Sequence, residues 1–389
     1  MMPDCLKNTG QDGVDIVMEK KKIAVVFGTR PEAIKMAPVI HELKKHSHFF
    51  EPLVVVTAQH REMLDQVLDV FDLVPDYDMN IMKRNQSLSD VTAEVLKGIE
   101  AIFEREKPNM VLVHGDTTTS FAAALAAFYQ QIPIGHVEAG LRTYDKYSPF
   151  PEEVNRQLID NVTDLFFVPT DETKQNLLSE HKTEAHISVT GNTVIDAVHY
   201  TKNTQRRHEV LSLMESGPDQ RWLLLTMHRR ESYGLPMKNV FEAVIELMDG
   251  YSDVEVIMPV HLSPTVQSLA NDILGHHERV HLVEPLEVDI FHRVMAQSFI
   301  VLTDSGGLQE EAPALDVPVL VLREKTERPE GVKAGTLKVV GTDKHDVVTS
   351  LKELLENEEA YFNMATAINP YGDGQASKRI INQIKQYFN

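Results

Sequence analysis

From Ile23 onward the chain repeats one pattern: a short, wholly apolar run, a polar turn, then a longer amphipathic stretch. Ile23-Ala24-Val25-Val26-Phe27 is the first such run, and residues 53–56, 110–113, 132–136, 165–168 and 187–189 repeat it. Continuous rather than alternating apolarity predicts strands buried on both faces, as in a parallel sheet. Between them, residues 62–70, 88–104 and 120–129 carry helical spacing. After a polar stretch at 203–220 a second series opens, with strands predicted at 222–226, 255–259, 280–282, 300–303, 318–322 and 337–340. Strands alternating with helices imply parallel sheets covered on both faces. The expected fold class is therefore α/β, with two Rossmann-like domains facing across a cleft. The first is expected at residues 22–200 and the second at 201–370, with residues 371–389 a final segment and residues 1–21 a mobile N-terminal extension.

Composition narrows the partners. Lys and Arg number 38 against 58 Asp and Glu, a formal net charge of −20, which argues against nucleic acid as a partner. A few cations focused in a cleft still suffice for a phosphate ligand. The single Cys5 excludes an intrachain disulfide and a thiolate metal site. No HExxH spacing suggests zinc, so no metal is expected. No apolar run reaches membrane-spanning length, and the first 22 residues lack a signal-peptide core, so the expected location is cytoplasmic.

In open α/β sheets ligands sit beyond the carboxyl ends of the strands, and the polar residues concentrate there. Gly28-Thr29-Arg30-Pro31-Glu32, with Lys35 one turn on, places two cations at a helix start suited to a diphosphate. It reads equally as a tight strand–helix turn. His114-Gly115-Asp116-Thr117 follows another run, and Asp116 is placed either to cap the next helix or to serve a sugar ring. Glu138 follows 132–136, and Glu152 opens a helix after two prolines. Three carboxylates at the same end of one domain suit acid–base chemistry. In the second half, Met227-His228-Arg229-Arg230, Val260-His261, Asp304-Ser305-Gly306-Gly307 with Glu311, and Thr326-Glu327-Arg328 form a set. Its guanidinium groups, glycines and carboxylate read as a nucleoside-diphosphate site. His41, His46 and His48, at the polar end of a helix, are expected to be solvated.

Taken in order, FGTRPEAIKMAP, VTAQHREMLDQVL, LVHGDTTT, GHVEAGLRT, YSPFPEE, TGNTVIDA, HRRES, LTDSGGLQEEAP, TERPEGV and NPYGDG resemble the non-hydrolysing UDP-N-acetylglucosamine 2-epimerases. The resemblance runs from about Lys22 to the C-terminus. It implies a GT-B-type architecture whose final helix, at 375–387, returns to the first domain. It further implies reversible conversion of UDP-GlcNAc to UDP-ManNAc with no cofactor, by elimination of UDP to 2-acetamidoglucal and re-addition, in a homodimer serving cell-envelope polysaccharide synthesis. By the same resemblance Asp116, Glu138 and Glu152 are the acid–base carboxylates and His228 acts on the departing diphosphate. Arg30, Lys35, Arg229, His261, Ser305, Gly306, Gly307 and Arg328 bind the UDP-sugar, and Glu311 holds the ribose.

Bacterial members of that family also take a second UDP-GlcNAc as an allosteric activator. Gln59, His60 and Gln86 match positions of that site, together with Glu152, Arg229 and His261. Asn85 and Glu62 depart from the usual pattern there. A hydrolysing epimerase, a glycosyltransferase on the same fold and a catalytically silent sensor remain the competing readings.

Overall fold

The computed structural model describes residues 19–58, 61–83, 86–217 and 219–389. Seven strands from the first half form one sheet: β1 (Lys21–Phe27), β2 (Phe50–Val56), β3 (Tyr77–Asp78), β4 (Met110–His114), β5 (Ile134–Val137), β6 (Leu165–Val168) and β7 (Ile187–Val189). Their order is β3-β2-β1-β4-β5-β6-β7, and every pairing is parallel. Six strands from the second half form another: β8 (Arg221–Thr226), β9 (Val254–Pro259), β10 (Val280–Val283), β11 (Ile300–Thr303), β12 (Val319–Val321) and β13 (Leu337–Val339). Their order is β10-β9-β8-β11-β12-β13, again parallel throughout. The apolar runs are strands because both faces of each are covered: Val25 and Phe27 belong to one core, and their neighbours Ala24 and Val26 to the core on the other face.

The winding reverses between β1 and β4 in the first sheet and between β8 and β11 in the second. At such a reversal the flanking loops diverge and leave a crevice at the strands' carboxyl ends. Four of the motif loops leave these four strands. Two-residue β3 at the sheet edge is too short for any periodicity to announce. Lys21, expected in the extension, already belongs to β1; residues 1–18 lie outside the described residues.

The last helix, Ala376–Phe388, buries Ile380, Ile381 and Ile384 in the same core as Ile23, Val25 and Met36 of the first sheet's layer. Its first turn is held by Asp196, whose carboxylate accepts the backbone N–H of Ala376 (3.1 Å) and Ser377 (2.9 Å). Arg379 adds a bond to the carbonyl of Thr190 at 3.0 Å. A chain that crosses to the second sheet thus ends on the first, and this strap limits how far the two halves can separate. His41 departs from expectation: its ring stacks on Tyr200 of the helix Thr193–Thr201 at 5.1 Å and is partly buried, although Lys44 and Lys45 at the end of its own helix are exposed.

Truncating Ile384 to alanine removes a fully buried side chain from that strap. It is expected to cost about 2–5 kcal/mol of stability, read from urea unfolding followed by circular dichroism. A change below about 1 kcal/mol, the level of an exposed site, would show that the helix is peripheral to the core.

Candidate active site

The loop after β1 is built around a carboxylate that sequence reasoning set down only as a helix-start charge. Glu32 is buried and accepts the N–H groups of Gly28 (3.0 Å) and Thr29 (2.7 Å) and the hydroxyls of Thr117 (2.6 Å) and Ser120 (2.8 Å). Because Thr117 and Ser120 follow β4, Glu32 ties together the loops on either side of the crevice. The close fit leaves no side-chain room at Gly28, where a Cβ would lie 2.2 Å from the Thr57 hydroxyl and 2.6 Å from that of Thr119. With its acidic neighbour engaged below, Arg30 is exposed and makes no hydrogen bond or ion pair among the described residues.

Lys35, almost one turn past Glu32, points instead into the protein and pairs with Glu138. Glu138 stands directly after β5 with φ of 64°, a left-handed conformation that costs a non-glycine residue roughly 1–2 kcal/mol. Its amide N–H is held by the Phe167 carbonyl at 3.0 Å. Its carboxylate also accepts from Asn192 Nδ2 at 2.9 Å and lies 3.6 Å from His114 Nε2. Burial alone would push the Glu138 carboxyl up, but Lys35 and His114 outweigh it and hold it well below the usual carboxylate range. Burial likewise opposes the Lys35 ammonium, and Glu138 and Glu310 raise it above the ordinary lysine value. The pair is charged on both sides.

Asp116 does not cap the helix that follows it; Thr117 does, accepting from the Ser120 N–H at 3.1 Å. Asp116 is therefore free to accept from Arg156 at 2.7 Å. Arg156 lies one turn past Glu152 on the helix Glu152–Val162, so the two share a helix face. Glu152 is half-buried and has no hydrogen bond or ion pair among the described residues. Its neighbour Glu153 is wholly buried and serves the scaffold, accepting the N–H groups of Thr143 and Tyr144, each at 3.0 Å. Beneath Asp116, buried His136 joins Asp160 (2.6 Å) to the carbonyl of Gly115 (2.8 Å) and anchors the loop.

Asp304 organises the second half. Placed after β11 and fully buried, it accepts the N–H of His228 (3.0 Å) and of Arg229 (2.9 Å) and the Ser232 hydroxyl (2.9 Å), all from the loop after β8. The ring Nδ1 of His228 is 3.2 Å from the same carboxylate, which leaves Nε2 for a ligand. Burial lowers the His228 pKa and outweighs the opposing pull of Asp304. Exposed His261 stacks on His228 with ring centres 5.7 Å apart. A Cβ on Gly306 would lie 3.6 Å from a guanidinium nitrogen of Arg229 and 4.0 Å from one of Arg328, so the Ser305-Gly306-Gly307 backbone runs between two cations. Glu311, half-buried, is 3.2 Å from His292 Nε2. Arg328 pairs with buried Glu310, and Glu310 accepts from Asn192 Nδ2 at 2.7 Å.

Lys35, Glu138, Glu310 and Arg328 are thus one connected group, reaching the crevice from both halves. Gln86 is turned inward on its own loop, bonded to the Lys83 N–H at 2.8 Å and to the Ile81 carbonyl at 2.8 Å. Gln59, His60 and Asn85 lie outside the described residues. Sequence reasoning assigned no site role to Glu32, Arg156, Asn192 or Glu310, and named Asp304 only as part of a motif. Asp304 and Asn192 carried a signal, since each follows a predicted strand closely; Glu310 was overshadowed by Glu311 beside it. Among the described residues no group of three or more His, Cys, Asp or Glu side chains is placed to hold a metal ion, and no helix is long and apolar enough to cross a membrane.

Comparison with known proteins meets this geometry. A family model described as UDP-N-acetylglucosamine 2-epimerase matches residues 41–385. The UDP-N-acetylglucosamine 2-epimerase of Bacillus subtilis is 54% identical over 367 residues, covering 94% of this chain and 96% of that protein. A solved Listeria monocytogenes chain superposes with a TM-score of 0.91 at 53% identity, over 95% of this chain and 97% of its own. The UDP-GlcNAc 2-epimerase of Neisseria meningitidis, solved with UDP-GlcNAc bound, gives 0.82 at 49% identity, over 94% and 100%. With the fold and nearly the whole length matched, this chain belongs to the UDP-N-acetylglucosamine 2-epimerase family.

Proposed function

We propose that the protein interconverts UDP-GlcNAc and UDP-ManNAc without releasing free sugar, by eliminating UDP across C1–C2 and adding it back. The observation that carries this reading is Glu138: a mostly enclosed carboxylate held in its charged form by Lys35 at the crevice, with Asp116 and Glu152 on neighbouring elements of the same half. The Neisseria relative that binds UDP-GlcNAc supports the substrate class.

The chemistry demands this kind of site. The C2 hydrogen of the sugar has no adjacent carbonyl to acidify it, so its removal needs electron withdrawal at C1. Breaking the C1–O bond supplies it: the bond pair leaves with the diphosphate, the C2–H pair forms the C1=C2 double bond of 2-acetamidoglucal, and the proton passes to a carboxylate. Return of a proton to the opposite face of C2, with UDP rejoining C1, completes the inversion. Two proton carriers on opposite faces are required, and Glu138, Asp116 and Glu152 are the candidates. Glu138, charged at rest, is suited to accept. Arg229 and Arg328, flanking Ser305-Gly306-Gly307, neutralise the charge that develops on the leaving diphosphate. His228, oriented by Asp304 through Nδ1, presents Nε2 toward that group. Arg30 is an exposed further cation for the phosphates, and Glu311 is placed for the ribose. Glu310 is buried and the Glu138 side chain is 12% exposed, an enclosure that favours keeping water from the glucal, which would otherwise be lost.

Incubation of the chelator-treated protein with UDP-GlcNAc in D2O, without NAD, is expected to yield UDP-ManNAc bearing deuterium at C2, with little free sugar by NMR. Free ManNAc with UDP would identify a hydrolysing enzyme instead, and unchanged but bound substrate a transferase or sensor. Asp116→Asn, Glu138→Gln and Glu152→Gln are each expected to lower kcat by about 10²–10⁴-fold, while UDP affinity measured by calorimetry stays within the wild-type range. A full-rate variant would remove that carboxylate from the proton-transfer scheme.

A further inference from the structure

Asn192 has no place in the scheme above, yet it is a point at which carboxylates of the two halves meet. It is 4% exposed and begins the helix Thr193–Thr201. Its Oδ1 accepts the Val194 N–H at 3.0 Å, which fixes the amide orientation and turns Nδ2 toward the crevice. There Nδ2 donates to Glu138 at 2.9 Å and to Glu310 at 2.7 Å. Glu138 belongs to the first half, and Glu310 stands at the helix Leu308–Glu311 of the second. Each carboxylate has its own cation, Lys35 and Arg328. The sequence of groups is ammonium, carboxylate, neutral amide, carboxylate, guanidinium. A neutral double donor is the one kind of side chain that satisfies two facing carboxylates without adding a third charge.

We propose that Asn192 is a positioning residue for the epimerisation: by clamping Glu138 and Glu310 with one amide nitrogen, it couples the charge and orientation of the proton-accepting carboxylate to the seating of the Arg328-bearing half. The inference rests on the reading of Glu138 as proton acceptor. Groups facing Glu138 from every neighbouring element are Lys35 from the helix Arg30–Lys45, His114 from β4, Asn192, and beyond it Glu310 and Arg328. With the amide in place the two carboxylates can approach while Glu138 stays ionised. Without it, Glu138 loses a donor to its charged form and its pKa rises. Arg328 also borders Gly306, so the diphosphate and Glu138 are linked through Glu310 and Asn192 by continuous contacts. Loss of the leaving group and transfer of the C2 proton, which must be timed together, are thereby joined through one side chain.

Asn192→Ser and Asn192→Asp test this, since both residues can still cap the Val194 N–H. Serine removes the bridge, and aspartate replaces it with a third carboxylate. The expected result is an acid limb of the kcat/KM–pH profile displaced upward by about one unit for serine and further for aspartate. Expected alongside are a kcat lowered about 10–100-fold and a UDP dissociation constant within about twofold of wild type by calorimetry. Adding Glu310→Gln to Asn192→Asp removes the like charge and is expected to return the limb toward that of Asn192→Ser, an ordering that mere loss of packing would not produce. The proposal is overturned if the acid limbs of the Asn192 variants coincide with wild type, or if Glu310→Gln leaves the Asn192→Asp limb in place. Should the aspartate variant fail to fold, the limb of the serine variant decides alone. Wild-type protein that incorporates no deuterium at C2 would instead defeat the reading of Glu138 on which the inference stands.

Discussion

Two mostly enclosed ion pairs hold a position on which the rest of the site depends. Lys35–Glu138 belongs to the first half and Glu310–Arg328 to the second, and Asn192 joins them. Burying a charge is costly unless it is paired and hydrogen-bonded, and removing one partner of a buried pair typically costs about 3–5 kcal/mol. Asn192 and Glu310 bring the two pairs together, so the group is made of residues from both halves. The consequence is a carboxylate held in its charged form, which an isolated buried glutamate would not be.

The scaffold achieves this by dividing its acidic residues into two kinds. Glu32, Glu153, Asp160 and Asp304 are buried and bonded to backbone N–H groups, hydroxyls or a paired cation; they fix the loops after β1, β4, β5 and β8. Asp116, Glu152 and Glu311 keep partial exposure and face the crevice with one partner or none. In sequence the two kinds are neighbours, as with Glu152 and Glu153, or Glu310 and Glu311. Which one is buried follows from the helix face each presents, not from residue type.

Much of the architecture was legible because a doubly covered parallel strand has a distinct signature. Residues 165–168, 187–189 and 300–303 are strands with the bounds the apolar runs imply. Strand ends elsewhere shifted by one to three residues, as where β2 begins at Phe50 rather than Leu53, since a polar Glu51 on a half-covered strand end breaks the run. The rule that ligands lie beyond the strands' carboxyl ends then singled out the polar loops, and the strand order showed that those after β1, β4, β8 and β11 flank the reversals. What failed was the assignment of individual partners. Asp116 read as either a helix cap or a carboxylate for a sugar ring; it is not a cap, because Thr117 takes that bond, and its partner Arg156, forty residues away, had no local signal.

By itself the sequence determined the two α/β halves, the family and the neighbourhood of the chemistry, because apolar periodicity and strand-end motifs are local properties that survive without coordinates. Only the tertiary structure decided which carboxylates are buried scaffold and which stay partly exposed at the crevice, that Lys35 turns inward to Glu138, and that Asn192 spans both halves. Those outcomes rest on contacts between residues far apart in the chain, such as Asn192 and Glu310. Desolvation and pairing set the state of each charge there, and neither exists until the fold has closed around it.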